Sequence, residues 1–173
     1  MGYPSTVDTG QVQPQFIGTE PVGLAGALTI LLTANQVYLY LYELSAQEII
    51  TGVKWRMGAT TTGHTNMGIY TYAGSLVAGS DTGAQLNVAN TNQSFTYATA
   101  VTLGQGSYYI ALACDNATDT YEGITAPTGG SQLSRHRAAT NVLAAGALPA
   151  TTGTILTAGT KVPGAALQVS GGI

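Results

Sequence analysis

Charge is the scarcest property of this chain. Only 8% of its 173 residues are Asp, Glu, Lys or Arg, about a third of the usual share. Five Lys and Arg at a net charge of −3 offer no basic stripe to neutralise phosphates, so nucleic acid is not an expected partner. Between Met57 and Cys114 the only formal charge is Asp81, so exposed positions there must be filled by Thr, Ser, Asn, Gln and Gly. A solitary soluble protein usually carries more. Near-neutral faces meet without desolvating ions, and the expected partners are therefore copies of the chain and other proteins.

Cysteine is almost missing. The lone Cys114 rules out a disulfide within the chain. Because it closes the apolar run Tyr108-Tyr109-Ile110-Ala111-Leu112-Ala113, it is expected to be a buried thiol. Long apolar runs are missing too. The stretch Leu24 to Leu32 is about half of a membrane span, and the opening MGYPSTVDTGQVQPQ lacks the basic start of a secretory signal. Neither membrane insertion nor export by that route is expected. Met1-Gly2-Tyr3-Pro4-Ser5-Thr6 fits the letter of a myristoylation pattern without polybasic support, and Asn92-Gln93-Ser94 and Asn116-Ala117-Thr118 fit glycosylation sequons. All three are read as unmodified.

Catalytic signatures are missing as well. The eight carboxylates are scattered, His64 and His136 lie far apart, and there is no Gly-x-Ser-x-Gly, His-Glu-x-x-His or phosphate-cradling glycine loop. The expectation is a protein that is not an enzyme and has no cofactor.

What is abundant is small: 23 Gly, 24 Ala and 26 Thr. From Ala27 onward short apolar-alternating segments are separated by Gly, Asn, Ser and Thr, and none suits a helix longer than a turn or two. Val37 to Leu44 sets Val37, Leu39 and Leu41 against Tyr38, Tyr40 and Tyr42, so that Leu44 would need a bulge to leave the tyrosine face. Ile49 to Met57 is expected to alternate throughout, with Ile49, Thr51, Val53, Trp55 and Met57 inward and Ile50, Gly52, Lys54 and Arg56 outward. Further strands are expected at Met67 to Tyr72, Ser75 to Ala78, Gln93 to Thr99, Val101 to Leu103, Ser107 to Cys114, Tyr121 to Thr125 and Ala165 to Val169. Residues 58–66 read as a polar loop. About eight short strands make an all-β, jelly-roll-like antiparallel sandwich over residues 24–173 the expected architecture. Residues 1–23, with Pro4, Pro14 and Pro21, read as an extended arm. Its Tyr3, Val12, Phe16 and Ile17 suit lying along a surface.

The succession Ile49-Ile50-Thr51-Gly52-Val53-Lys54-Trp55-Arg56, Gly68-Ile69-Tyr70, Ala73-Gly74-Ser75-Leu76-Val77-Ala78, Gln93-Ser94-Phe95-Thr96 and Val101 to Ala113 resembles a jelly-roll module of tailed-bacteriophage virion proteins. The resemblance covers about residues 36 to 125. It implies head-fibre, capsid-decoration or tail-fibre roles, and related sandwiches serve as carbohydrate-binding modules. No catalytic residues belong to the pattern. Gly68 and Gly74 are read as permitting tight turns, and Tyr109 and Ile110 as filling opposite faces of one strand.

Three groups are candidate sites. Tyr38, Tyr40 and Tyr42 form a stripe that suits either a partner surface or the core. Arg135 and Arg137, flanking His136, could anchor the chain on an acidic patch or be a solvated loop. Asp115, Asp119 and Glu122, with Asn116, are hard oxygen donors that could hold calcium. An ordinary polar turn, with Asp115 and Asn116 accepting from nearby amides, accounts for the same residues. The function expected is that of a non-enzymatic virion protein of the particle exterior, assembled in the host cytoplasm. It would oligomerise, as a trimer or another close oligomer, and tether through its arm to proteins such as the major capsid protein. The alternative is a tail-fibre module binding host glycans.

Overall fold

The computed structural model describes residues 28–34, 36–125, 136–139, 147–156 and 161–170. Among them every regular element is a strand. In chain order these are β1 (Leu28–Leu31), β2 (Val37–Leu44), β3 (Glu48–Arg56), β4 (His64–Thr71), β5 (Gln85–Leu86), β6 (Asn92–Leu103), β7 (Gly106–Cys114), β8 (Thr120–Thr125), β9 (His136–Ala139), β10 (Ile155–Leu156), β11 (Lys161–Pro163) and β12 (Ala165–Val169). They form a six-stranded antiparallel sheet in the order β10-β9-β2-β7-β4-β5 and two three-stranded sheets, β1-β8-β11 and β12-β3-β6.

The two small sheets act as one layer. They meet where Met57 bridges Tyr121 and Gly58 N–H donates to Thr120 O. Beyond that point β3 and β8 splay apart, and Gly164 sits in the fork. Its N–H donates to Glu122 O and its carbonyl accepts from Arg56 N–H. The chain turns there, leaving β11 on β8 and β12 on β3. Arg56 and Glu122 also pair across the fork at 3.1 Å.

An apolar interior lies between this layer and the large sheet. From the large sheet come Tyr38, Tyr40, Tyr42, Leu44, Met67, Ile69, Ile110, Leu112 and Cys114. Ile30, Leu32, Ile50, Val53, Trp55, Met57, Tyr97, Leu103, Tyr121 and Leu167 close it from the other side. Burying so much apolar surface is the main favourable contribution to folding. Strand β2 pairs with β7 in unbroken register from Val37↔Ala113 to Leu44↔Gly106, so Leu44 shares the tyrosine face with no bulge. Tyr109 and Ile110 do take opposite faces, in separate apolar clusters.

The alternation expected of Ile49 to Met57 fails in its first half. Ile50 pairs with Val101 but Gly52 pairs with Thr96, so Thr51 alone spans Tyr97 to Ala100. A bulge of this kind reverses the parity on one side of it. Ile50 is accordingly fully buried and Ile49 is 43% exposed, while Val53, Trp55 and Met57 point inward as expected. The segments 93–99 and 101–103 run as the single strand β6. Ser75 to Ala78 is no strand: among the described residues its ladder pairing is limited to the isolated bridges Tyr70↔Leu76 and Ser75↔Thr151, beside which Val77 N–H donates to Ile69 O and Leu76 N–H to Ala150 O. The polar loop ends at Gly63, because β4 already begins at His64. Strand β1 and the short β5, β9, β10 and β11 were not expected. The arm of residues 1–23 lies outside the described residues.

The large sheet is buried on its outer face as well. Val37, Leu39, Tyr70, Tyr109, Ala111 and Ala113 form a second apolar cluster there, covered by Leu148. Residues 148–152 lie across it: Tyr70 Oη donates to Pro149 O, Leu76 N–H to Ala150 O and Thr152 N–H to Gly74 O. Gly68 is no turn residue. It sits mid-strand in β4, where a Cβ would lie 2.5 Å from Leu148 Cδ1. Gly74, at φ +88°, is the turn residue of the pair.

Candidate functional site

Polar side chains concentrate where the β3–β4 loop (58–63), the β5–β6 loop (87–91) and the β7–β8 loop (115–119) come together. Asp119 lies at the centre and is fully buried. Its Oδ1 accepts from Thr62 N–H at 2.6 Å and from Thr62 Oγ1, and its Oδ2 accepts from Gly63 N–H at 3.1 Å and from Asn87 Nδ2. Donors on both oxygens are what allow a carboxylate to be buried in this way.

The network continues inward. Thr65 Oγ1 donates to Asn87 Oδ1 at 2.7 Å. A hydroxyl has one proton to give, so Tyr121 Oη is the donor in its 2.6 Å contact with Thr65 Oγ1. Tyr121, Thr65, Asn87 and Asp119 thus form a directional chain from core to loops, in which each bond polarises the next. Burial pushes the Tyr121 phenol far above its usual range, keeping it a donor.

Asp115 flanks the same loop. It accepts from His64 N–H at 2.8 Å and lies 2.7 Å from His64 Nδ1. Partial burial raises its carboxyl, but the His64 amide, ring and charge outweigh this and hold it below the ordinary carboxylate value. Asn116 Oδ1 accepts from Thr118 N–H and Asp119 N–H, which is the polar-turn reading of this segment. The loops approach so closely that a Cβ on Gly63 would overlap Asn116 and Asp115.

The sequence-predicted groups fall in different places. Glu122 faces Arg56, not Asp115 and Asp119. Among the described residues no three His, Cys, Asp or Glu side chains are arranged to hold a metal ion. Tyr38, Tyr40 and Tyr42 are buried in the sandwich interior, so the stripe is core and presents no face to a partner. Tyr38 Oη accepts from Thr33 N–H, and Tyr42 Oη donates to Glu48. Of the basic group, Arg135 lies outside the described residues. Arg137 is described as backbone of β9, opposite Leu39. Tyr3, Val12, Phe16 and Ile17 lie outside the described residues.

Chemically, this end of the sandwich holds loops still. Both oxygens of Asp119 are occupied by donors, and among the described residues His64 hydrogen-bonds to Asp115 alone. Burial, then the nearby Asp119 charge, push the Cys114 thiol up to about 11, so it is no thiolate at neutral pH. Sequence reasoning missed Asn87, Thr62 and Thr65, because polar residues in a Thr- and Asn-rich chain carry no signal of which ones turn inward. No family model matches the sequence, and no curated protein matches it.

Proposed function

We propose that this chain is a non-enzymatic structural protein of a bacteriophage particle, an accessory protein of its exterior of the capsid-decoration or head-fibre kind. In this reading it assembles with copies of itself and tethers through residues 1–23 to a virion protein such as the major capsid protein. The observation that carries the reading is the strand order. β1-β8 and β3-β6, joined at Met57 and Tyr121, face β2-β7-β4-β5. Two Greek keys wound into a jelly roll have this order, an architecture recurrent in viral capsid and lectin domains. A near-neutral exterior and loops locked by their own side chains favour packing and covering over chemistry. Fold alone does not assign function, so the test is location. Electron microscopy of labelled particles should place the protein on the particle exterior, and deleting residues 1–23 should release it from particles with the sandwich still folded. Normal occupancy of the truncated chain would refute the tether.

A second reading, as a glycan-binding module of a tail fibre, draws on Tyr72. Its ring is 59% exposed and stacks on Tyr109 with centroids 5.6 Å apart and planes 14° from parallel. A fixed, open aromatic face suits stacking on a sugar ring. Glycan-array binding lost on Tyr72→Ala, with particles intact, would favour this reading over the first.

A further inference from the structure

With one cysteine, this chain cannot brace itself by an internal disulfide. Side chains of another kind meet inside it. Thr65 of β4 and Asn87, just past β5, are both buried, and the Thr65 hydroxyl donates to Asn87 Oδ1 at 2.7 Å. At an ordinary carbonyl angle that separation puts Oγ1 about 3.5 Å from the carboxamide carbon, the outer limit from which a nucleophile attacks. Asp119, fully buried, accepts through Oδ2 a hydrogen bond from the nitrogen of the same carboxamide. Tyr121 Oη, buried as well, donates to Thr65 Oγ1 and so keeps the hydroxyl proton turned toward Asn87. A hydroxyl, an amide carbonyl and a carboxylate at the amide nitrogen thus stand in one row.

A second pair shows what sets this one apart. Thr82 Oγ1 lies 3.0 Å from Asn66 Oδ1, and both residues are buried. No carboxylate stands at that nitrogen, since Asn66 Nδ2 has no hydrogen-bond partner among the described residues. Only at Asn87 is there a group beside the nitrogen that can carry a proton to it.

We propose that Thr65 and Asn87 join as an ester, an internal cross-link that the folded chain forms by itself. Thr65 Oγ1 bonds to Asn87 Cγ, and its proton moves to Oδ1, which it already faces. Oδ1 gives that proton up as the carbonyl re-forms and the Cγ–Nδ2 bond breaks. Asp119 Oδ2, at the nitrogen, is the relay that returns a proton to it, and the nitrogen leaves as ammonia. Nothing is oxidised or reduced, and Asp119 ends as it began. Burial excludes the water that would hydrolyse the product. The reaction is slow, because the hydroxyl has no base of its own, and the hydrogen-bonded network described above is that of the unreacted chain. The ester ties β4 to the β5–β6 loop across 22 positions, a constraint of the kind a disulfide supplies. It holds wherever the protein resides and does not depend on the virion reading.

Intact-mass spectrometry of the full chain, incubated folded at neutral pH, should show progressive loss of one ammonia. Chymotrypsin cuts at Tyr70 and Tyr72, between the two residues, and should then release Thr65 and Asn87 in one branched peptide that hydroxylamine splits. Thr65→Ser keeps the hydroxyl and should still react, whereas Thr65→Val should keep its full mass. Asp119→Asn, whose amide cannot relay a proton, should react roughly a hundredfold more slowly. A wild-type mass that stays constant would overturn the proposal. Ammonia loss that persists in Thr65→Val would do the same, because a cyclic imide formed by Asn87 alone sheds an equal mass. A folded Thr65→Ser chain that keeps its full mass counts against the ester equally, so the test does not hang on the valine variant.

Discussion

Removing the Asp119 carboxylate is the sharpest perturbation of the loop end. In Asp119→Ala, Gly63 N–H and Asn87 Nδ2, both buried, lose their acceptor, and Thr62 N–H, which is partly buried, loses its own. A buried donor left unpaired costs about 1–3 kcal/mol. Thr62 Oγ1 is exposed and regains water. Against that sum stands the relief of no longer holding a carboxylate out of water. The net loss should be about 3 kcal/mol, a fall of roughly 6–12 °C in Tm for a chain of this size. Asp119→Asn keeps one acceptor oxygen and sheds the charge, so it should lose about half as much. Calorimetry and urea titration at pH 7 measure both, and amide hydrogen exchange should quicken first in residues 58–63 and 87–91. A Tm for Asp119→Ala within about 1 °C of wild type, or Asp119→Asn the worse of the two, would refute the account of Asp119 as the acceptor that organises three loops.

Gly68→Ala should destabilise by about 1–3 kcal/mol through overpacking, since its Cβ would meet Leu148 Cδ1 at 2.5 Å and Leu76 Cδ1 at 3.2 Å. Adding Leu148→Ala should cost less in that background than alone, as a double-mutant cycle by denaturant titration will read. Cys114 is buried with its thiol pushed up to about 11, so a thiol reagent at pH 8 should label it only in denaturant. Fast labelling of the native protein would contradict its placement. Asp115 has its folded pKa below the unfolded value of about 3.9. Its contribution is therefore complete above that value and fades as pH falls through the folded pKa. The stability gap between wild type and Asp115→Asn should accordingly narrow below about pH 4 in melts taken across pH.

Much of the fold was legible because alternation is a local signal. The strand from Val37 to Leu44, the inward Trp55 and the final strand at Ala165 to Val169 follow from residues near in sequence. The bulge opposite Thr51 was not legible, since it depends on how Tyr97 to Ala100 pair from another strand. The role of Gly68 was hidden for the same reason: the residue it makes room for is Leu148, far along the chain. At the loop end, the turn formed by Asn116 could be read from its type and position. The engagement of Asp119 with Asn87 and Thr62 could not, because which of many Thr and Asn side chains turn inward is decided by loops that meet only after folding.

Strand β3 lies between β6 and β12, and Trp55 faces Ala165, about 110 residues later in the chain. Contacts of such separation form slowly, because a long loop must close before any of them is gained. That sheet is therefore among the late arrivals in folding, and the chain has placed its sole indole at the seam. Intrinsic fluorescence consequently reports the completion of the fold rather than its onset, and its slow phase should lag behind the appearance of strand signal in circular dichroism.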